Sequence, residues 1–445
     1  MTSLFDDMSI GALRRAYQSG AVTPEDVVRH VLSRLGDDAQ TSVWISTVEA
    51  EKALNRAQAL AQMSGRIEEL PLYGIPFSVK DNIDVAGEET TAACPAFAYR
   101  AGQSATVVER ALKAGAIYIG KTNLDQFATG LVGVRSPYGV PKNPFNADYI
   151  PGGSSAGAGV SVSSGMVSFA FGTDTGGSGR IPASYNGIYG FKPAPGEWSR
   201  SGLVFACRSF DTPTVFTATL EDALLVDAAV RGPDASDAFS KSVPRHEVSS
   251  PRVAMLAPGE AEFFGDGDVA ALYSAAYEAV GAAFPKMTPS TIEAFQSVND
   301  LMFFGPFLAE RDVSVGAFID AHPEDCHPVV RSLIQSSRKF TAADCYKAQY
   351  KVAEAVRDTA SFWEKHDVLV TPAVGALVTL QQCEDDPLGP NFRNGTYTNF
   401  ANPLGLAAIT IPFQKTGAGV PWGLTLYSLP ERLSGMIRVA EGLNH

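Results

Sequence analysis

Residues 150–193, IPGGSSAGAGVSVSSGMVSFAFGTDTGGSGRIPASYNGIYGFKP, gather what acyl-transfer chemistry needs. From Ile150 to Thr173 there is no charge, yet Ser and Gly stand where a core helix would carry Leu. Gly152-Gly153-Ser154-Ser155 opens the run, and Asp174-Thr175-Gly176-Gly177-Ser178-Gly179-Arg180 closes it. Gly pairs admit positive φ and close approach, so backbone N–H groups can converge on one point. A Ser beside such groups combines a nucleophile with a site for the oxyanion. It also needs a proton acceptor, and no His occurs between His30 and His246. A Lys is therefore the expected base.

Other readings compete. An uncharged run of about twenty residues with Gly153-x-x-x-Gly157 imitates a membrane helix with a dimerisation face. Ser154, Ser155, Ser161, Ser163, Ser164 and Ser168 make it too polar to partition, so no membrane contact is expected. A phosphate cradle needs G-x-x-x-x-G-K-[ST], or a strand followed by G-x-G-x-x-G, and neither spacing occurs. A small-residue helix packed closely on a sheet fits 156–166 and is compatible with catalysis at both ends.

The stretch resembles the Gly/Ser-rich signature of the amidase signature family, hydrolases that use a Ser–cis-Ser–Lys triad. The family pattern puts the cis-Ser in the GGSS cluster and the nucleophile in the later GGS. Here those are Ser154 and Ser178, 24 positions apart. The family's Lys lies in an upstream G-[IV]-P-[FV]-x-[VI]-K-D segment, matched by Gly74-Ile75-Pro76-Phe77-Ser78-Val79-Lys80-Asp81. The resemblance covers about 70 to 430 and is tightest from 72 to 210. It implies an α/β fold with a mixed, mostly parallel central sheet and helices on both faces. A helical N-terminal arm over 1–70 would form one compact unit with a catalytic domain over 71–445.

In the mechanism this implies, Lys80 takes a proton from Ser154, and Ser154 from Ser178, which attacks an amide carbon. Backbone N–H groups of Thr175, Gly176, Gly177 and Ser178 would meet the oxyanion. Asp174 and Arg180 would brace the loop. Neither a metal nor a cofactor is required, and a homodimer is expected. A free Lys titrates near ~10.4, so Lys80 must be shifted down by roughly three units, at a cost of about 4 kcal/mol. A hydroxyl-rich, charge-free surrounding suits that shift.

Residues 121–139, KTNLDQFATGLVGVRSPYG, and Ala206-Cys207-Arg208-Ser209-Phe210-Asp211 resemble the allophanate hydrolase branch. The resemblance implies that the Ala128-Thr129-Gly130 backbone lines the site, with Gly130 touching substrate. Gly305-Pro306-Phe307-Leu308-Ala309-Glu310-Arg311 fits the same branch, whose Arg here meets the substrate carboxylate. Alternatively, Arg311 pairs with Glu310 or Asp312. The branch carries a Tyr eight residues before that Arg, and its hydroxyl contacts substrate. Phe303 holds the place here, so one polar contact is missing. Asn399 and Asn402 in TNFANPLG match a loop that closes the site floor and read as structural. The sequence given stops soon after Trp422-Gly423-Leu424-Thr425-Leu426, near the usual end of an amidase domain, where longer allophanate hydrolases continue into a C-terminal domain.

Helices are expected after Ser9, up to Gly20, and after Thr23-Pro24-Glu25-Asp26, where a cap, an N1 Pro and two acids coincide. A short strand at Val43-Trp44-Ile45 precedes an Ala-rich helix to about Met63. Strand 75–79, helix 105–113 and strand 116–119 then alternate, which argues for a parallel sheet covered by helices. Residues 230–300 read as surface or insertion, 325–365 as helical, and 368–372 and 407–412 as strands near the sheet's centre.

Composition narrows the partners. A content of 45% hydrophobic and 19% charged residues fits a large core, and no linker or repeat divides the 445 residues. A net charge of −13 without a basic cluster argues against nucleic acid. Five scattered Cys (Cys94, Cys207, Cys326, Cys345, Cys383) with no CxxC imply neither a disulfide frame nor a zinc site. The N-terminus MTSLFDDMSI has acids and no apolar run, so no signal peptide is expected and a cytoplasmic location is.

Two other catalytic classes share some of these features. Ser336-x-x-Lys339, Lys415-Thr416-Gly417 and Ser297-x-Asn299 satisfy the loose motifs of penicillin-recognising enzymes, but S-x-N must lie between the others and here precedes both. The amidase component of glutamyl-tRNA amidotransferase shares the triad pattern and releases ammonia from glutamine. The expected substrate is a small carboxylated or ureido amide, allophanate first, with biuret, malonamate, general amides or glutamine as alternatives.

Overall fold

The computed structural model describes residues 5–35 and 42–443. Residues 1–4, part of the stretch read for a signal peptide, lie outside the described residues. The first two helices form where their caps predict. Ser9 accepts from the Ala12 N–H at the head of Ile10–Gln18, which turns Ile10, Leu13 and Tyr17 inward. Thr23 and Asp26 bond reciprocally ahead of Pro24–Leu35, which buries Val27, Val28 and Val31. The arm is tied down by polar contacts as well as by that apolar face. Tyr17 donates to the Gly74 carbonyl at 2.8 Å, and the Asp222 carboxylate accepts from the N–H groups of Ile10 and Gly11.

Among the described residues eleven strands make one sheet. Across it run Trp44–Thr47, Ile117–Thr122, Pro76–Lys80, Phe169–Asp174, Thr212–Thr217, Tyr189–Lys192, Ala407–Lys415, Pro421–Ser428, Val368–Pro372, Val253–Leu256 and Thr288–Ser290. Parallel pairing occupies two blocks of three, Ile117–Thr122 to Phe169–Asp174 and Val368–Pro372 to Thr288–Ser290. Strands between the blocks run antiparallel, as does the Trp44–Thr47 edge. That antiparallel share is larger than helix–strand alternation alone implies, because Ala407–Lys415 and Pro421–Ser428 close a tight hairpin.

Residue size sorts the faces of Phe169–Asp174. Phe169 and Phe171 pack against Phe77 on one side, and Phe171 meets Trp198, whose Nε1 donates to Asp227 of helix Leu220–Val230. On the other side Ala170 and Gly172 leave room for helix Ala156–Ser163. A Cβ on Gly172 would stand 2.9 Å from Ser155 Oγ, and one on Gly157 2.5 Å from the Val43 carbonyl. The small-residue run is therefore a helix drawn close onto the sheet.

Two expectations need correction. The stretch 230–300 is no insertion: it supplies the buried strand Val253–Leu256, helix Gly267–Ala283 capped by Asp266, and the edge strand Thr288–Ser290. A four-residue apolar strand between Pro251 and Pro258 is too short to show a period. Val368–Pro372 is fully buried but lies third from the sheet edge, whereas Ala407–Lys415 is interior to it. Among the described residues, no helix is long and apolar enough to cross a membrane.

Candidate active site

Neighbouring parallel strands end at the same edge of a sheet, and here that edge gathers the chemistry. Pro76–Lys80 delivers Lys80 there, and Phe169–Asp174 delivers the turn that carries Ser178. Ser154 comes from the Gly cluster just before helix Ala156–Ser163, joined to Gly153 by a cis peptide. Lys80 Nζ lies 2.7 Å from Ser154 Oγ, and Ser154 Oγ lies 2.9 Å from Ser178 Oγ. All three are buried, Lys80 and Ser154 completely and Ser178 to 3% exposure. Burial brings the Lys80 ammonium down to about 7, against the opposing pull of the Asp125, Asp211 and Asp174 carboxylates.

One hydroxyl there was missed by sequence. Thr173 Oγ1 stands 2.8 Å from Lys80 Nζ and within 3.3 Å of the Asn82 amide nitrogen. A neutral amine has two N–H donors and one lone pair. When Lys80 is neutral, Thr173 Oγ1 and O can accept its two N–H groups, which leaves the lone pair for the Ser154 hydroxyl. Thr173 ends an apolar strand pattern, so its spacing alone read as sheet.

Asp174 and Arg180 brace the Ser178 turn, as expected from their flanking positions. The guanidinium grips the carboxylate through two bonds, Nε to Oδ2 at 2.9 Å and Nη2 to Oδ1 at 2.8 Å. Thr398 donates to the Gly176 carbonyl at 2.6 Å, and Asn402 to the Asp174 carbonyl at 2.8 Å, which clamps the turn from the TNFANPLG loop. Gly177 adopts φ 144°, and a Cβ there would lie 2.4 Å from Thr398 Oγ1, so no other residue fits. Its N–H, however, donates to Asp174 Oδ1 at 3.0 Å. That corrects the expected oxyanion set: Gly177 spends its donor on the brace. Among the described residues the N–H groups of Thr175, Gly176 and Ser178 are engaged by no protein acceptor. The Thr175 hydroxyl is held by buried Asp211, whose carboxyl burial raises to about 6, tempered by Thr175 and the Cys207 N–H. Gly130 presents its carbonyl 3.5 Å from Ser178 Oγ.

Arg311 lies on the helical turn Leu308–Arg311 with 1% exposure. Neither carboxylate expected to compete for it does so. Glu310 accepts from the Ser209 N–H, and Asp312 pairs with Arg338 at 2.8 Å. Arg311 Nη1 donates to the Met302 carbonyl at 3.1 Å, while Nε and Nη2 are buried without a partner. Phe303 covers the guanidinium with its ring, 5.2 Å from centroid to Cζ. The same ring reaches the Ser178 turn: a Cβ on Gly176 would lie 3.1 Å from Phe303 Cε2 and 2.7 Å from Asn399 Oδ1. Phe303 and Asn399 are also among the residues lining a surface cavity of about 260 Å³. Asn399, read as structural from sequence, thus faces the site, and its Oδ1 is buried and unpartnered.

The penicillin-type motifs dissolve into local structure. Ser336 closes its own helix by donating to Leu333, Arg338 pairs with Asp312 and Asp320, and Lys415-Thr416-Gly417 turns the 407–428 hairpin.

Fold and sequence together define the class. The chain belongs to the amidase family, whose model matches residues 26–432. It is 40% identical over 391 residues to the urea amidolyase of Saccharomyces cerevisiae, covering 86% of this chain and 21% of that protein. The chain spans about a fifth of the length of the curated urea amidolyases it matches, 21% and 23% in two of them. It is 31% identical to a glutamyl-tRNA(Gln) amidotransferase subunit of Symbiobacterium thermophilum, over 97% of this chain and 95% of that one. Among solved structures, Kluyveromyces lactis allophanate hydrolase superposes with a TM-score of 0.92 at 34% identity, over 99% of this chain and 73% of that one.

Proposed function

We propose that this chain hydrolyses a small amide bearing a carboxylate, allophanate first among candidates, and releases ammonia. Ser178 Oγ attacks the amide carbon as its proton passes to Ser154 Oγ and that of Ser154 to neutral Lys80. The carbonyl oxygen becomes an oxyanion held by the N–H groups of Thr175, Gly176 and Ser178. The relay then runs backwards, the leaving nitrogen takes the proton, and the C–N bond breaks to give ammonia and an acyl-enzyme. Water, deprotonated through the same relay, releases the acid and restores Ser178. The observation that carries the catalytic reading is the unbroken line from Ser178 through Ser154 to a buried Lys80, with links of 2.9 and 2.7 Å.

Arg311 supports the substrate class. A buried guanidinium with Nε and Nη2 unmet is complementary to a carboxylate, which accepts from both at once. Similarity to urea amidolyases and to allophanate hydrolase points the same way. Ammonia release should therefore be fastest with allophanate in a panel that includes biuret, malonamate, glutamine and simple neutral amides. Preference for glutamine would instead favour the amidotransferase reading, which the match over nearly the whole of that relative keeps in play. The proposal includes a homodimer in the cytoplasm, with residues 1–70 folding as one unit with 71–445. Light scattering of the purified protein tests the dimer, and a truncation at residue 71 should be insoluble.

A further inference from the structure

Asp125 lies beneath the catalytic cluster and has no part in the relay just described. Its carboxylate is fully buried and accepts three backbone N–H groups: Gly133 at 2.9 Å and Val132 at 3.3 Å on Oδ2, and Arg135 at 3.0 Å on Oδ1. Its own N–H donates to the Ser154 carbonyl at 3.1 Å. The same Oδ2 rests against two glycines. A Cβ on Gly130 would lie 2.4 Å from it, and one on Gly153 2.2 Å. Gly130 carries the carbonyl 3.5 Å from Ser178 Oγ, and Gly153 leads into Ser154. One side chain thus touches the backbone on both sides of the nucleophile.

The charge matters as well as the shape. The negative charges of Asp125, Asp211 and Asp174 all act on Lys80 and oppose the effect of its burial. Asp174 is gripped by Arg180, and Asp211 has Arg311 nearby. Arg135 gives Asp125 its backbone N–H, but among the described residues the carboxylate makes no side-chain ion pair. Arg135 directs its Nη1 and Nη2 to the carbonyls of Thr129 and Pro387 instead.

We infer that Asp125 is a positioning residue that holds the Gly130 carbonyl and the Gly153–Ser154 peptide in register with Ser178 while keeping a negative charge turned towards Lys80. The inference rests on the Ser178–Ser154–Lys80 reading. It is tested by labelling the full chain with a fluorophosphonate across a pH series, reading the adduct on Ser178 by mass spectrometry, and following kcat/KM in the same preparations. Asp125→Asn keeps the shape and removes the charge, so Lys80 should lose its proton more readily. The acid limb should then move to lower pH by roughly half a unit or more, and the plateau rate should fall about 10- to 100-fold. Asp125→Glu keeps the charge but overfills the space between two glycines. Its plateau should fall by about tenfold or more with the acid limb unmoved.

A purely structural role would lower yield or Tm and leave the Asp125→Asn midpoint in place, which overturns the inference. Wild-type plateau rates in Asp125→Glu overturn it too, and that variant decides the matter if Asp125→Asn does not fold. Labelling of Ser178 that ignores both variants removes only this inference. Wild-type enzyme labelled anywhere but Ser178 removes the relay reading and this inference with it.

Discussion

The Lys80 centre and the Arg311 corner are buried equally deeply, yet their hydrogen bonding differs. Around Lys80 the side chains are matched: the amine, the hydroxyls of Ser154, Ser178 and Thr173, and the Gly130 carbonyl lie in a line of contacts of 2.7–3.5 Å, and the donors left over are backbone N–H groups of the Ser178 turn. Around Arg311 they are not. Five N–H donors sit beside an aromatic ring, one of them on a carbonyl, with Nε and Nη2 unmet. Leaving a buried donor unsatisfied costs roughly 1–3 kcal/mol, and more when it is charged. A fold keeps such a cost where something else removes it, and an incoming carboxylate would. On the proposed reading, the comparison separates a centre for chemistry, whose side chains are already matched, from a corner for recognition, whose side chain only a ligand would complete.

The largest expected effects break the first region. Ser178→Ala and Lys80→Ala should each lower kcat by about a thousandfold or more while the protein stays folded, with Ser154→Ala close behind. A Ser178→Ala enzyme that keeps a tenth of wild-type turnover would refute the nucleophile assignment.

The second region should break differently. Arg311→Leu should raise KM for carboxylated amides about a hundredfold and change neutral amides little. Because the unmet guanidinium burdens the folded state, Tm should not fall. Malonate should raise the Tm of wild type and not of Arg311→Leu. Equal losses on acidic and neutral substrates, with a fall in Tm, would make Arg311 a packing residue.

Acidity sharpens the contrast. Lys80, brought to about 7 by burial, must be neutral to accept a proton, so kcat/KM should drop tenfold per unit as pH falls below about 7. The sign for stability follows from the same displacement. The unfolded Lys binds its proton below about 10.4 while the folded one does not until near 7, so folding stability contributed here is lost as pH falls between those values. In urea titrations at pH 7 and 10, wild type should lose more stability than Lys80→Met on moving to pH 7. Parallel changes would mean that Lys80 is not desolvated.

How much of this was legible follows from the same two regions. The Gly/Ser run announces itself because Gly and Ser in an uncharged stretch defy core composition, the roles proposed for Lys80, Ser154 and Ser178 came from its resemblance to a family signature, and the caps at Ser9 and Thr23 are purely local. Thr173 and Asp125 are not so marked. A Thr ending a strand looks like sheet, and the work of Asp125 depends on backbone from 130–135 and 153–154, which only the folded chain brings together. The spending of the Gly177 N–H on Asp174 is likewise a matter of turn geometry. Val253–Leu256 was lost for a simpler reason: four apolar residues cannot declare a period.

Phe303 gives the smallest effect and the finest test of the comparison, because it belongs to both regions. Its ring lies over Arg311 and against Gly176, where resemblance to allophanate hydrolases calls for a Tyr. A hydroxyl bonded to a charged substrate contributes roughly 1.5–3 kcal/mol, about ten- to a hundredfold in kcat/KM. Phe303→Tyr adds one oxygen and little volume. If the corner is built for a carboxylated ureido substrate, kcat/KM for allophanate should rise, by about tenfold if the new oxygen finds only part of the family geometry, while neutral amides change less than twofold. The gain should disappear in Arg311→Leu/Phe303→Tyr, since the hydroxyl can help only a substrate that the guanidinium has already seated. Allophanate turnover that stays undetectable in both parent and Phe303→Tyr, beside brisk cleavage of another amide, would move the corner to a less polar substrate and leave the Lys80 centre untouched.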